Sequence, residues 1–301
     1  MSENTVMERI FEMEVTRKAY AKINLGLDVT GKRDDGYHIV RMIMQNIDIY
    51  DTLTFRDNEN GDVRLTCSKS GIPTDDNNLI CKVANQLRQK YDISRGVDIH
   101  LEKVIPAAAG MAGGSTDGAA AYIALNELWN LGMTREDMCA LAVKLGADIP
   151  YFIMGGTQLS EGIGEVLTPL KDLADCAIVI AKPGIDVSIG WVYTQLDSCT
   201  EVKHPDIDGI RTAIEAGDIR KMCDLIDNVL EPVTTAKYQV IKDIEGILKE
   251  NGAVGAFMTG SGPTVFAIYE DVKKAGEGLE AVKKSGLAPD LFLTGPINPN
   301  L

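Results

Sequence analysis

The chain has 301 residues, enough to bury a full core, and its apolar share of 45% and charged share of 25% are ordinary for a globular protein. A formal net charge of −14 argues against nucleic-acid or anionic-membrane partners, which select clustered Lys and Arg, so an anionic ligand would need a local positive field. Met1 to Glu14 carries four glutamates and no apolar core, so no signal peptide is predicted there; no apolar run approaches a membrane span, and a cytoplasmic protein is expected.

Glu14 to Lys22 and Ile23 to Val29 read as two extended runs. Within them Ala21-Lys22-Ile23-Asn24-Leu25 sets a cation and an amide in apolar surroundings, and strand alternation sends Lys22 and Asn24 to one face. That face is either solvated or functional. Asp35-Gly36-Tyr37-His38 is a polar loop: Tyr37 can stack on a flat ring and His38 can hydrogen-bond its edge, or the two are an ordinary turn tyrosine and a surface histidine. Ile43 to Phe55 and Asp62 to Cys67 continue the β character. Asn77 to Tyr91 has the helical period, and Gly96 to Lys103 alternates Val97, Ile99 and Leu101 as a half-buried strand.

Next comes Pro106-Ala107-Ala108-Ala109-Gly110-Met111-Ala112-Gly113-Gly114-Ser115-Thr116-Asp117, almost all small residues, ahead of an alanine-rich helical run from Gly118 to Trp129. Backbone N–H groups in such a loop can approach an anion, and the helix start adds free N–H groups and a positive dipole end. Tight packing alone can also select such a turn. The loop lacks the Gly-Lys-Ser/Thr ending of a Walker motif, and its glycines do not fit the dinucleotide fingerprint.

Thr134 to Leu145 reads as a helix capped by Thr134 and stopped by Gly146. Asp148 follows among apolar residues, either shaping a turn or serving as a paired functional carboxylate. The pattern restarts after Gly155-Gly156. Thr157 to Leu167 reads as a hairpin, Ala177 to Ala181 as a strand, and Gly209 to Leu230 and Val233 to Glu250 as helices. Gly255 to Met258 and Thr264 to Tyr269 flank Thr259-Gly260-Ser261-Gly262-Pro263, a tight turn able to approach a phosphate or another backbone, or a bare β-turn. Leu291 to Thr294 is a last strand. Strands and helices without strict alternation predict an α+β fold in two domains, 1–155 and 156–301. The six scattered cysteines are expected reduced, and three histidines make a His-rich metal site unexpected.

The loop from Pro106 to Thr116 resembles the phosphate-binding motif of the galactokinase, homoserine kinase, mevalonate kinase and phosphomevalonate kinase superfamily. Ala21 to Leu25, Gly36-Tyr37-His38, Gly146 to Pro150 and Gly260 to Pro263 narrow the resemblance to the branch that phosphorylates a CDP-linked methylerythritol. It implies an ATP-binding first domain of ribosomal-protein type, an α/β-sandwich second domain and an active site between them. It implies a catalytic pair, Lys22 and Asp148, with Lys22 polarising the acceptor hydroxyl. It assigns Pro106 to Thr116 to the ATP phosphates, Lys103 to a position beside the adenine, Tyr37 and His38 to the cytosine, Asn24 to the substrate and Ser261 to the turn supporting the loop. Mg²⁺ would accompany ATP without an obvious acidic ligand. A small-molecule substrate is implied, with a monomer or homodimer as the assembly. Ala112 stands where relatives carry glycine, which requires a negative φ; Ile189 replaces a hydroxyl residue; Asp117 is expected to serve the helix dipole in the first turn.

Overall fold

A computed structural model describes residues 13–299. The first sheet contains β1 (Glu14–Lys32), β2 (His38–Asn58), β3 (Val63–Cys67), β4 (Gly96–Glu102), β5 (Thr157–Glu161) and β6 (Val166–Pro169). β1 and β2 form a long antiparallel pair; β4 and β5 share the other edge of β2, at Thr52–Asn58 and Met42–Gln45, and β3 runs parallel to β4. The two runs expected before residue 30 are one strand, broken in register between Tyr20 and Lys22, between Asn24 and Gly26 and between Val29 and Gly31. Bulges of this kind re-aim side chains without ending the strand.

Four helices accompany this sheet: α1 (Leu79–Tyr91), α2 (Gly113–Leu128), α3 (Arg135–Ala142) and α4 (Ile149–Met154). Asn78 caps α1 through Ile80 N, and Thr134 with Asp137 forms a reciprocal capping box on α3. α2 starts at Gly113, five residues before the alanine-rich run, because Ser115 N and Thr116 N already donate to Ala112 O. The glycines expected as loop are therefore its first turn.

The second sheet has the order β10 (Asp290–Thr294), β7 (Ala177–Lys182), β9 (Val265–Tyr269), β8 (Gly255–Met258), all antiparallel. Its helices are α5 (Ile189–Leu196), α6 (Ile207–Ala216), α7 (Ile219–Leu225), α8 (Glu231–Lys237), α9 (Val240–Glu250) and α10 (Val272–Ser285). The expected helix from Gly209 to Leu230 is broken at Gly217, which takes a left-handed conformation, and Asp218 caps the next helix. The Val233 to Glu250 segment likewise breaks at Tyr238. Neither α5 nor α10 was anticipated.

The hairpin β5–β6, expected to open the second domain, pairs with β2 and extends the first sheet. By strand pairing the first unit therefore reaches Pro169, past the boundary expected at residue 155. The reason is non-local: Thr157 to Ser160 find their partners at Gln45 to Met42. α6 packs on β1 so closely that a Cβ at Gly26 would meet Ile210 Cδ1 at 2.7 Å. The cleft between the units is thus closed on one side by apolar packing. All six cysteines are free thiols.

Candidate active site

The cleft holds a cavity of about 480 Å³. Lys22 and Asn24 reach it from β1, Met42 and Met44 from β2, Asp148 from the start of α4, and Gly260 and Ser261 from the turn between β8 and β9. Pro106 to Gly110, Ala112, Gly113, Gly114 and Asp117 form another wall. Met111, Ser115 and Thr116 do not line it: Met111 is buried in the apolar core, and Thr116 faces a small pocket beside Lys18 and Phe152. Their place in the expected phosphate set comes from the motif's continuity in sequence, whereas the helical turn points successive residues different ways.

Lys22 is only 5% exposed. Its Nζ donates to Asn24 Oδ1 and to Gly110 O, each at 2.6 Å. Burial pushes its pKa down to about 8, and the negative charge of Asp148 partly opposes that. Asp148 occupies the N-cap position of α4 yet its side chain caps nothing. Of the two readings of Asp148, this leaves its carboxylate available to the cavity. Among the described residues the two side chains form no direct ion pair; both line the cavity, and the charge of Asp148 acts on Lys22.

Asn24, expected to contact the substrate, also joins β1 to the glycine turn. Its N–H donates to Thr259 Oγ1 at 3.0 Å, so the strand holding Lys22 is tied to the glycine turn. Asn228, unsuspected from sequence, donates from Nδ2 to Met258 O at 3.0 Å and Gly260 O at 2.8 Å while accepting from Leu230 N. It lies in a segment read as helix, and only the hydrogen bonds across the fold reveal it. The turn in turn presses on the glycine-rich loop at Gly110. Gly110 and Gly260 both have positive φ, 69° and 59°. The Gly-Ser-Gly-Pro segment is thus no bare turn.

Ala112 is corrected. Its φ is +55°, and Ala108 has +50°. Alanine takes this left-handed region at a cost of roughly 1–2 kcal/mol, which the surrounding packing must carry.

Lys103, expected beside the adenine, has its ammonium engaged within the protein. It lines the cavity, but Nζ donates to Asp51 Oδ2 at 2.5 Å and to Asp117 Oδ2 at 2.7 Å. Asp117 is the fifth residue of α2, beyond the first turn, so the dipole role assigned to it does not hold. Asp51 was not singled out; a lone Asp in a strand carries no local signal of a buried partner.

A second cavity of about 510 Å³ holds Tyr37 and His38 with Lys32, Tyr193 and Asp197. It shares Val40, Ile163 and Tyr193 with the first, so the two adjoin. Tyr37 is 58% exposed, a ring face open to a ligand. The His38 ring lies 4.6 Å from that of Tyr193, and His38 Nε2 pairs with Asp197 Oδ1 at 2.8 Å. Asp197 also takes Lys32 Nζ at 2.5 Å, which with His38 holds its pKa below the usual range. Ile189, 64% exposed, stands at the edge of the first cavity.

Comparison with known proteins matches this arrangement. The profile of the GHMP kinases N terminal domain matches residues 78–156, and that of the GHMP kinases C terminal domain matches 210–287. A 4-diphosphocytidyl-2-C-methyl-D-erythritol kinase of Clostridium perfringens is 44% identical over 283 residues, covering 94% of this chain and 98% of that protein. One from Lachnoclostridium phytofermentans is 46% identical over 280 residues, covering 93% and 96%. This chain belongs to the 4-diphosphocytidyl-2-C-methyl-D-erythritol kinase family. A crystal structure of 4-(cytidine 5'-diphospho)-2C-methyl-D-erythritol kinase superposes with a TM-score of 0.79 at 28% identity, covering 95% of this chain and all of that one. Homoserine kinase from Cytophaga hutchinsonii shares the fold at a TM-score of 0.77 and 18% identity. The α+β, two-domain kinase architecture expected from the motifs is the one present, and kinases of this family draw their phosphate from ATP. No helix among the described residues is long and apolar enough to cross a membrane.

Proposed function

We propose that this protein transfers the γ-phosphoryl group of ATP to the 2-hydroxyl of 4-diphosphocytidyl-2-C-methyl-D-erythritol, giving the 2-phosphate and ADP, a step of isoprenoid precursor synthesis. The supporting observation is a pair of adjoining cavities: the glycine-rich loop, Lys22 and Asp148 line the inner one, and Tyr37 and His38 the outer one. The inner cavity accommodates a polyphosphate, and the outer cavity a flat heterocycle stacked on Tyr37 with its edge toward His38.

In this reading the free N–H groups of Gly113 and Gly114 at the start of α2 face the ATP phosphates. Asp148 orients the acceptor hydroxyl. The hydroxyl oxygen forms a bond to the γ-phosphorus as the bond to the β–γ bridging oxygen breaks, and the hydroxyl proton passes to Asp148. Lys22, a cation at neutral pH, faces the charge that develops on the transferring oxygens. Asn24 and Gly110 O hold its ammonium in place beforehand, so little reorganisation accompanies the step. Among the described residues no three His, Cys, Asp or Glu converge as a metal cage. Mg²⁺ would accompany ATP and would supply positive charge to the transferring phosphates.

The experiment is a turnover assay with ATP and three acceptors: 4-diphosphocytidyl-2-C-methyl-D-erythritol, mevalonate and homoserine. Turnover with the cytidine compound alone is expected. Preferred turnover of mevalonate or homoserine would replace this reading with another kinase of the same fold.

A further inference from the structure

Asp51, Lys103 and Asp117 form a buried cluster of two carboxylates on one ammonium, and the turnover step above uses none of them. Their donors are unequally shared. Asp51 Oδ1 accepts from Val104 N at 2.6 Å and Ile105 N at 2.8 Å, and Oδ2 accepts from Lys103. Asp117 Oδ2 has Lys103 alone, and Asp117 Oδ1, fully buried, has no partner. Three donors serve one carboxyl and one serves the other, so a single negative charge is stabilised at Asp51. A second charge on Asp117 would leave a buried anionic oxygen with nothing to neutralise it.

The cluster also has a position. Val104 and Ile105 lead directly into Pro106, where the loop begins, and Asp117 lies in α2, just after the loop ends. Lys103 ties the two ends together. Asp117, 3% exposed, is part of the cavity wall beside Gly113 and Gly114.

We infer that Asp117 is a positioning residue of the ATP site that acts in its neutral, protonated form, with Asp51 and Lys103 as the charged pair. The inference rests on the ATP-site reading above. With Asp117 neutral, the cluster has no net charge and the polyphosphate meets no anion at the loop. With Asp117 ionised, a negative charge stands in the same wall, and ATP binding becomes linked to uptake of a proton. Burial first, then repulsion from Asp51, pushes the Asp117 pKa up to about 8 against the pull of Lys103. Lys103 is the cation of the pair: burial works to lower its pKa, and the charge of Asp51 opposes this. Among the described residues the charges that act on Asp117 are those of Lys103 and Asp51. α1 and α4, packed against α2, present Leu79 and Ile149 at Gly118, and the Lys22 ammonium on β1 is committed to Asn24 and Gly110.

The test is calorimetric binding of a non-hydrolysable ATP analogue with Mg²⁺, at pH 7 and pH 9. A proton requirement at about pH 8 weakens wild-type binding about tenfold over that interval. Asp117→Asn removes this part, so its loss over the interval is expected to be several-fold smaller; Lys22 titrates equally in both proteins. Equal weakening of both, or no weakening of wild type, overturns the inference. Should the variant fail to fold, proton uptake is read on Lys22→Met at pH 8.5 in buffers of different ionisation heat. Uptake of about 0.8 proton supports the inference, and zero overturns it. Failure of the analogue to bind at any pH would instead refute the ATP site itself.

Discussion

Gly110 and Gly260 lie backbone against backbone: a Cβ on Gly260 would stand 2.9 Å from Gly110 O, the same oxygen that accepts from Lys22. A Cβ on Gly110 would stand 2.4 Å from Thr259 O. Two glycine turns from different units thus fix each other and, through one carbonyl, the cation. Both residues also need a positive φ, so side chains are refused twice over. Gly260→Ala is expected to displace the loop and reduce kcat/KM for ATP at least tenfold, with the protein still folded by circular dichroism. Kinetics within twofold of wild type would show that the contact does not position the loop.

The alkaline limb of turnover reports Lys22. With its pKa lowered to about 8 by burial, the cation of the ligand-free protein is lost above that pH, and kcat/KM is expected to fall up to about tenfold per pH unit. The folded state holds this proton less tightly than the unfolded chain does, whose lysines titrate at about 10.5. Between about pH 8 and 10.5 the unfolded state therefore binds more protons, so this group makes folding stability rise with pH there. A kcat/KM flat to pH 10 would remove the cation from the chemistry.

Asp148→Asn is expected to cut turnover by about 10²–10⁴-fold while an ATP analogue binds as before. It has a second signature. Asp148 raises the Lys22 pKa by its charge, so the residual activity of the variant should lose its alkaline limb at lower pH than wild type. Near-normal turnover would exclude the carboxylate.

At the outer cavity, Tyr37→Ala is expected to raise KM for the cytidine substrate about tenfold, the scale of one lost base-stacking contact, and leave KM for ATP unchanged. Parallel loss for both ligands would mean that Tyr37 shapes the cleft instead of reading a base.

Asn228→Ala strips the donor from two carbonyls of the glycine turn and the acceptor from Leu230 N. An urea titration should show about 1–3 kcal/mol of lost stability, accompanied by a raised KM for ATP. Loss of stability with unchanged ATP kinetics would confine Asn228 to folding.

The sequence by itself determined the fold class, the glycine-rich loop, the Lys22–Asn24 face and the Tyr37–His38 pair, because each is written in contiguous residues: a strand period, a run of small side chains, a polar loop. Their effects are local, and local chemistry is readable in order. Only the tertiary structure decided the rest. It joined β5 to β2, gave Ala112 its left-handed backbone, started α2 at Gly113, and brought Asp51 to Lys103 and Asn228 to Gly260. Each of these is settled by burial: a polar group removed from water must find its partner wherever the chain folding past can supply one, and that partner's distance along the sequence is arbitrary.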